Sequence, residues 1–167
     1  PGLVTDIKVN KGMNIAGKDI LLLGAGGAIR GILAPLINEN PSTITIANRT
    51  ISKAELLKKE FSEALDIQIA NYENLEGSFD LIINGTSSGI AGGVPPLREE
   101  NICANTYCYD MMYGDKETDF IAWAKSKGAK NTSDGLGMLV EQAAESFFRW
   151  HGLRPNTREV MRQLRAS

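Results

Sequence analysis

The chain has 167 residues, a length that suits one domain and lets it bury about 70% of the surface that its unfolded form exposes. Its 18 basic and 20 acidic side chains give a formal net charge of −2, without any block of five or more like charges. We therefore expect neither nucleic acid nor an anionic membrane as a partner.

Its apolar runs are far shorter than the roughly 20 residues of a membrane span, and the N-terminus lacks a signal-peptide pattern, so we expect a cytoplasmic protein. The two cysteines, Cys103 and Cys108, are not part of a Cys-x-x-Cys motif or a Cys/His cluster, and the sequence predicts no metal site. We expect both to be buried, reduced thiols, because free cysteine is often buried.

A buried strand and a helix are the first predicted elements. Residues 20–23 form an apolar run that ends at a glycine cluster, as in a strand buried on both faces. Pro35 lies inside the following helix and should bend it, because its ring crowds the carbonyl of Gly31. The apolar residues that mark this helix are Ile29, Ile32, Leu33, Leu36 and Ile37.

Further strands alternate with helices along the chain. We predict strands over residues 43–47, 67–70, 79–84, 106–110 and 129–132. Ser52 and Glu55 form a capping box for a second helix, and a third covers residues 119–127. The second helix should bury Ala54, Leu57, Phe61 and Leu65. A long helix should bury Leu136, Val140, Ala143, Phe147 and Trp150. A last helix follows Pro155 and should be anchored by Val160 and Leu164.

Strands that alternate with helices predict a parallel sheet covered on both faces, because parallel neighbours need crossover connections. We predict an α/β, doubly wound, Rossmann-like fold. Residues 91–96, with two glycines and two prolines, should form a mobile loop.

The junction after the first strand contains Gly24, Gly26 and Gly27. Glycines there permit positive φ or a close approach of the backbone to a ligand, and the helix N-terminus offers free N–H groups to a pyrophosphate. Ile29 stands where the usual fingerprint has a third small residue, so helix and strand must be spaced differently. An ordinary strand-to-helix corner remains the structural alternative.

The end of the second strand carries Asn48, Arg49 and Thr50, where an NAD enzyme places a carboxylate for the ribose hydroxyls. Arg49 lies 25 residues after Gly24 and can make charge-assisted hydrogen bonds to the extra phosphate of NADP. We therefore predict NADP over NAD, with Lys53 as a second phosphate contact. Alternatively, Arg49 and Lys53 are solvated surface charges.

With these residues in view, the chain resembles the C-terminal NADP-binding domain of the shikimate dehydrogenases. The resemblance rests on "GAGGA" at 24–28, "NRT" at 48–50, "INGTSSG" at 83–89, "YDMMY" at 109–113, "DGLGMLVEQAA" at 134–144 and "WHG" at 150–152. Ile29 and Gly85 depart from the family pattern, which more often has Ser or Ala at the first position and Ala at the second.

The resemblance implies that the cofactor is bound by Gly24, Ala25, Gly26, Gly27, Ala28, Asn48, Arg49, Thr50, Lys53, Asn84, Thr86, Ser87, Met111, Gly135 and Met138. It also implies that Tyr113 and Gln142 face shikimate. Each of these has a structural alternative: Met138 as a core residue, Gln142 as an exposed helix residue and Tyr113 as a loop aromatic.

The resemblance places the proton-handling Lys and Asp in an N-terminal substrate domain of about 100 residues, which this chain lacks. Residues 1–15 would be the hinge helix and linker to that domain, and residues 153–167 a C-terminal helix that packs toward it or pairs with a second copy in a homodimer. Asp110 should cap a loop, and His151 should have a structural role at a helix end. We therefore expect the chain alone to bind NADP(H) without oxidising shikimate or reducing 3-dehydroshikimate.

Three alternatives stay open at this point. The chain could be a nucleotide-binding sensor without catalysis, or belong to a quinate/shikimate dehydrogenase of broader specificity, some of which use NAD. A methyltransferase is a third, although it would also favour an acid at the end of the second strand.

Overall fold

One parallel β-sheet organises the chain, as seen in a computed structural model that describes residues 1–86 and 93–166. The described sheet has six strands, and their ends lie within two residues of the predicted ones. The strands are β1 (Asp19–Leu23), β2 (Thr43–Ala47), β3 (Ile67–Ala70), β4 (Leu81–Asn84), β5 (Tyr107–Asp110) and β6 (Asn131–Ser133). The helices are α1 (Gly2–Thr5), α2 (Gly27–Ile37), α3 (Ile51–Phe61), α4 (Asp119–Ser126), α5 (Leu136–His151) and α6 (Thr157–Ala166).

The strand order β3-β2-β1-β4-β5-β6 confirms the predicted doubly wound α/β fold. Leu23 at the end of β1 pairs with Ala47 in β2 and with Asn84 in β4, so the carboxyl ends of these central strands lie level. From β1 the chain adds β2 and β3 on one side of the sheet, and it then crosses to add β4, β5 and β6 on the other side. A crevice opens at such a switch point, between β1 and β4. None of the described helices combines the length and apolarity needed to cross a membrane.

Both faces of the sheet are buried, as the apolar run in β1 predicts. Ile20 and Leu22 belong to one core cluster, with residues of α2 and α3, whereas Leu21 and Leu23 belong to a second cluster on the other face, with Phe120 of α4. This alternation follows from the period of two along a strand.

Residues 1–10 form a short helix that packs on α5. α1 continues into a π-helical turn, Asp6–Asn10. The fully buried Asp6 carboxylate accepts hydrogen bonds from the Tyr109 hydroxyl at 2.7 Å and from the Asn10 side chain at 2.9 Å. The same Asn10 nitrogen donates to the buried Glu141 carboxylate at 3.1 Å. The segment is therefore tied to both β5 and α5.

The predicted start of the second helix is wrong. Ser52 and Glu55 do not form a capping box, because α3 begins at Ile51 with Thr50 as its N-cap, without a side-chain capping hydrogen bond. Asn48 holds the preceding turn by donating its side-chain N–H to the Thr50 carbonyl at 2.7 Å, and the Lys53 N–H donates to the same carbonyl at 3.2 Å. Of the predicted buried face, Ala54 and Leu57 are buried, and Phe61 and Leu65 are partly buried.

The predicted buried face of α5 is correct for its first two residues and wrong after them. Leu136 and Val140 are buried, but Ala143, Phe147 and Trp150 are exposed, the last at 79%. The helix instead buries Gly137, Glu141 and Ala144. Residues 1–10 supply polar partners for Glu141 and a close contact for Gly137, so the buried stripe lies about one residue further along than an apolar pattern suggests.

Two smaller expectations also fail. Val160 and Leu164 do not anchor α6 in the core, because they are 38% and 49% exposed and no residue of this helix is buried. Cys103 is an exposed thiol rather than a buried one, because it lies in the turn before β5, whereas Cys108 within β5 is buried. Both thiols are free.

Candidate cofactor-binding site

A cavity of about 690 Å³ opens where β1, β2, β3 and β4 end. Its wall includes the glycine turn, the end of β2 with the start of α3, the segment after β3, the residues after β4 and the segment at 93–96. The predicted cofactor residues on this wall are Gly24, Ala25, Gly26, Asn48, Arg49, Thr50, Lys53 and Thr86.

The glycine turn leaves free space on its cavity side. Gly24 has a φ of +102°, which favours glycine, and a Cβ there would lie 3.2 Å from Cγ2 of Thr86. At Gly26 and Gly27, by contrast, a Cβ would have no described protein atom within 4 Å. Gly26 is the N-cap of α2, so the first N–H groups of this helix border that space. An anion such as a phosphate fits there.

Arg49 and Lys53 form the cationic part of the same wall. Neither has a carboxylate within ion-pair distance in the described parts of the chain, whereas Lys58 of α3 pairs with Asp66. An unpaired guanidinium and an unpaired ammonium one helical turn apart favour binding of a second anion, beside the one at the helix N-terminus.

The segment after β3 contributes a wall that the sequence analysis missed. Asn71, Tyr72 and Glu73 line the cavity opposite the glycine turn. Burial raises the pKa of the Tyr72 hydroxyl, and the nearby positive charge of Arg49 lowers this pKa in part. Tyr72 and Arg49 thus line the same cavity. The rule that ligands bind at the carboxyl ends of parallel strands could have identified these residues.

Asn84 is buried at the end of β4 and forms hydrogen bonds with Thr86 and Asp110. Its side-chain oxygen accepts hydrogen bonds from the Thr86 hydroxyl at 2.7 Å and from the Thr86 N–H at 3.1 Å. Its nitrogen donates to Asp110 at 3.1 Å, and the same Asp110 oxygen accepts from the Met112 N–H at 3.1 Å. Asn84 thus orients Thr86 on the cavity wall and links the ends of β4 and β5.

A second cavity, of about 520 Å³, lies between α2 and α5. Gly27, Ala28, Met111, Met138 and Gln142 are the predicted site residues on its wall. Met111 follows β5, and Met138 and Gln142 lie on α5, so this cavity adjoins the end of β5 and, through Gly27 and Ala28, the start of α2. The structure therefore divides the predicted residues between two adjoining spaces.

Three predicted site residues have other surroundings, and one lies outside the described residues. Gly135 is buried, and a Cβ there would overlap the backbone of Met111. Tyr113 is 50% exposed and borders neither cavity wall as described. Asn84 is buried and is not among the residues on either cavity wall. Ser87 falls in the segment 87–92, outside the described residues, as do residues 91 and 92 of the predicted loop at 91–96.

Asp110 caps a loop, as expected, and His151 contacts a neighbouring aromatic ring. Asp110 caps the turn after β5 through the Met112 N–H, and burial raises the pKa of this carboxyl while hydrogen bonds from Thr118, Met112 and Asn84 lower it in part. The His151 ring packs on Phe147 at the end of α5, with ring centroids 4.5 Å apart. Asp134 pairs with Arg165 of α6 at 2.9 Å.

Two protein-family models match this chain. The model described as shikimate / quinate 5-dehydrogenase matches residues 6–91, just over half of the chain. This chain belongs to the shikimate/quinate 5-dehydrogenase family. A further model, the shikimate 5'-dehydrogenase C-terminal domain, matches residues 135–165.

Two bacterial shikimate dehydrogenases are similar to this chain over almost its whole length. The NADP(+) shikimate dehydrogenase of Aeromonas hydrophila is 55% identical over 98% of this chain, and that of Hahella chejuensis is 52% identical over 98%. The chain spans 60% and 61% of the lengths of these two relatives.

Solved structures share the fold. A crystal structure of an Ael1 enzyme from Pseudomonas putida matches with a TM-score of 0.91 and 43% identity, over 98% of this chain and 60% of the other. A shikimate dehydrogenase in complex with NADP+ matches with a TM-score of 0.81 and 34% identity, over 97% of this chain and 58% of the other.

Proposed function

We propose that this chain is the NADP(H)-binding part of a shikimate dehydrogenase, which reduces 3-dehydroshikimate to shikimate with NADPH in chorismate and aromatic amino-acid biosynthesis. The observation that carries the proposal is the position of Arg49 and Lys53 on the wall of the cavity that the glycine turn also borders. The names of relatives, which specify NADP(+) and shikimate, support it.

The residues of the chain fit such a dinucleotide. The free N–H groups at the start of α2 would hold the pyrophosphate, and Arg49 with Lys53 would bind the 2'-phosphate. Tyr72 would border the adenosine half. The remaining predicted contacts, Ser87, Met111, Gly135 and Met138, would border the nicotinamide half, with Thr86 oriented by Asn84. When bound, NADPH supplies a hydride to a ketone.

Tyr113 and Gln142 would contribute hydrogen bonds to the substrate from this side of the cleft. Reduction of a ketone also needs a proton donor close to its oxygen. Asp110 and His151 are engaged in structural contacts, and the family resemblance places the proton-handling Lys and Asp in the substrate domain. We therefore propose that the chain alone binds cofactor without turnover.

Calorimetric titration of Arg49→Ala with NADPH and with NADH tests the cofactor assignment. We expect the variant to lose about tenfold in NADPH affinity, from charge-assisted hydrogen bonds worth about 1.5 kcal/mol or more, with little change for NADH. Arg158→Ala, an exposed arginine of α6, is the matched control for lost charge. An unchanged ratio of the two affinities would refute the role of Arg49.

A turnover assay tests the second part of the proposal. The chain is mixed with NADP and either shikimate or quinate, and the absorbance of reduced nicotinamide is followed. We expect no signal from the chain alone and a signal when a family substrate domain is joined to it. Turnover by the chain alone at the rate of a full-length enzyme would contradict the proposal, and the joined protein's preference decides between shikimate and quinate.

A further inference from the structure

Ile29 is unusual because a large side chain occupies the third small position of the glycine fingerprint. In that fingerprint the third glycine lets the helix pack closely against the strand. Ile29 lies in the first turn of α2 and is fully buried. The space for its side chain must therefore come from another element.

Gly85 provides this space. It follows β4 directly, and a Cβ there would lie 2.5 Å from Cδ1 and 2.8 Å from Cγ1 of Ile29. The Gly85 N–H donates to the Leu23 carbonyl at 3.0 Å, so its backbone is fixed against the end of β1. A side chain at Gly85 could be accommodated only if the Ile29 side chain changed its rotamer or the first turn of α2 moved.

The contact lies between the two halves of the candidate site. Ile29 belongs to the helix turn whose N–H groups border the phosphate space, and Gly85 lies with Thr86 on the wall of the first cavity. The Met111 sulfur, on the wall of the second cavity, would also lie only 3.4 Å from a Cβ at Gly85.

We propose that Ile29 and Gly85 are a matched positioning pair that sets the separation between the phosphate-binding turn and the end of β4, and thereby places the nicotinamide half of the dinucleotide. The proposal rests on the proposed function for its ligand. It assigns a role in cofactor geometry to the packing of a fully buried side chain, Ile29, against Gly85, which lines the first cavity.

A double-mutant cycle tests the pair with Gly85→Ala, Ile29→Ala and the double variant. Thermal unfolding measures the coupling without ligand, and titrations with NADPH and with adenosine 2',5'-bisphosphate measure binding. We expect Gly85→Ala to lower the melting temperature and to weaken NADPH binding about tenfold, while the bisphosphate, which lacks the nicotinamide half, keeps its affinity within about threefold. The double variant should recover NADPH affinity to within about threefold of the unmutated chain.

Losses that simply add in the double variant, or an equal weakening of both ligands by Gly85→Ala, would overturn the proposal. If Gly85→Ala does not fold, Ile29→Ala is compared with the double variant, in which the added methyl group should be tolerated. Loss of folding in the double variant as well would overturn the pairing. Failure of the unmutated chain to bind either ligand would instead refute the proposed function, and the unfolding data would still decide the pairing.

Discussion

Glycines have opposite surroundings in two regions of this molecule. At the turn after β1, Gly26 and Gly27 face space in which no described protein atom lies within 4 Å of a Cβ. At α5, a Cβ on Gly137 would overlap the Asp6 carboxylate, and a Cβ on Gly2 would lie 2.6 Å from the Met138 carbonyl oxygen. The first pair leaves room for a ligand, whereas the second permits two helices to pack.

Because their surroundings differ, glycines of the two regions should respond differently to substitution, through folding in one region and through ligand binding in the other. Side chains added in the packed region must displace protein atoms, so they should affect folding first. Side chains added at the open turn displace only solvent or ligand, so they should affect binding first. The same substitution, glycine to alanine, therefore tests both regions.

Gly137→Ala should have the largest effect on stability. The added methyl group meets the Asp6 carboxylate, which Tyr109 and Asn10 hold in place, and overpacking of this kind costs about 3 kcal/mol of unfolding free energy. Urea unfolding followed by tryptophan fluorescence measures it. Gly31→Ala in α2, where the Cβ meets no described atom, is the control and should stabilise by about 0.5 to 1 kcal/mol. Equal effects at both positions would remove the distinction between the two regions.

Tyr109→Phe tests what holds Asp6 in the packed region. The Tyr109 hydroxyl donates to Asp6 at 2.7 Å, and burial raises the pKa of Tyr109, so the hydroxyl stays protonated and remains a donor at neutral and mildly alkaline pH. Loss of a hydrogen bond to a buried carboxylate should cost about 2 kcal/mol. Tyr113→Phe, at a half-exposed tyrosine, is the control and should leave the unfolding free energy unchanged. A loss below about 0.5 kcal/mol for Tyr109→Phe would show that Asn10 alone is enough to hold Asp6.

The regions also differ in how far the sequence predicts them. The open turn was predictable because apolar periods locate β1 and α2, and the positions of Gly24 and Arg49 then follow from the rule that ligands bind at strand ends. The buried face of α5 was not predictable from its period, since Ala143 and Phe147 continue the apolar stripe as well as Ala144 does. The position of Asp6, which is set by tertiary packing, decides it.

The order of the strands explains why the sequence analysis missed Tyr72 as part of the cavity wall. Tyr72 became part of the site because β3 lies beside β2, and a short strand gives little local indication of its neighbour. Ile29 and Gly85 are a similar case. Each is a separate departure from a familiar pattern in the sequence, and only the three-dimensional contact shows that one compensates for the other.

Gly26→Ala should leave stability unchanged and weaken cofactor binding. Gly26 has an extended backbone, with φ −91° and ψ −173°, which alanine also adopts. The methyl group would occupy the space beside the first N–H groups of α2, and we expect about a tenfold loss of NADPH affinity, or about 1.4 kcal/mol, by calorimetric titration. A drop in melting temperature together with unchanged affinity would show that the open turn is a structural corner.

The smallest expected effect on stability is at the ion pair between α6 and the residues that precede α5. Arg165 of α6 pairs with Asp134 at 2.9 Å; the Asp134 side chain is only 10% exposed, but the Arg165 side chain is 53% exposed, and we expect a pair that solvent reaches on one side to contribute about 1 kcal/mol or less. Arg165→Ala should therefore hardly change global unfolding, with Arg158→Ala as the control. Because α6 has no buried residue, the same change should still increase amide hydrogen exchange over residues 157–165, since local opening needs little free energy there. A global loss above about 2 kcal/mol would mean that α6 contributes to the packed region after all, and that this region extends beyond the contact between residues 1–10 and α5.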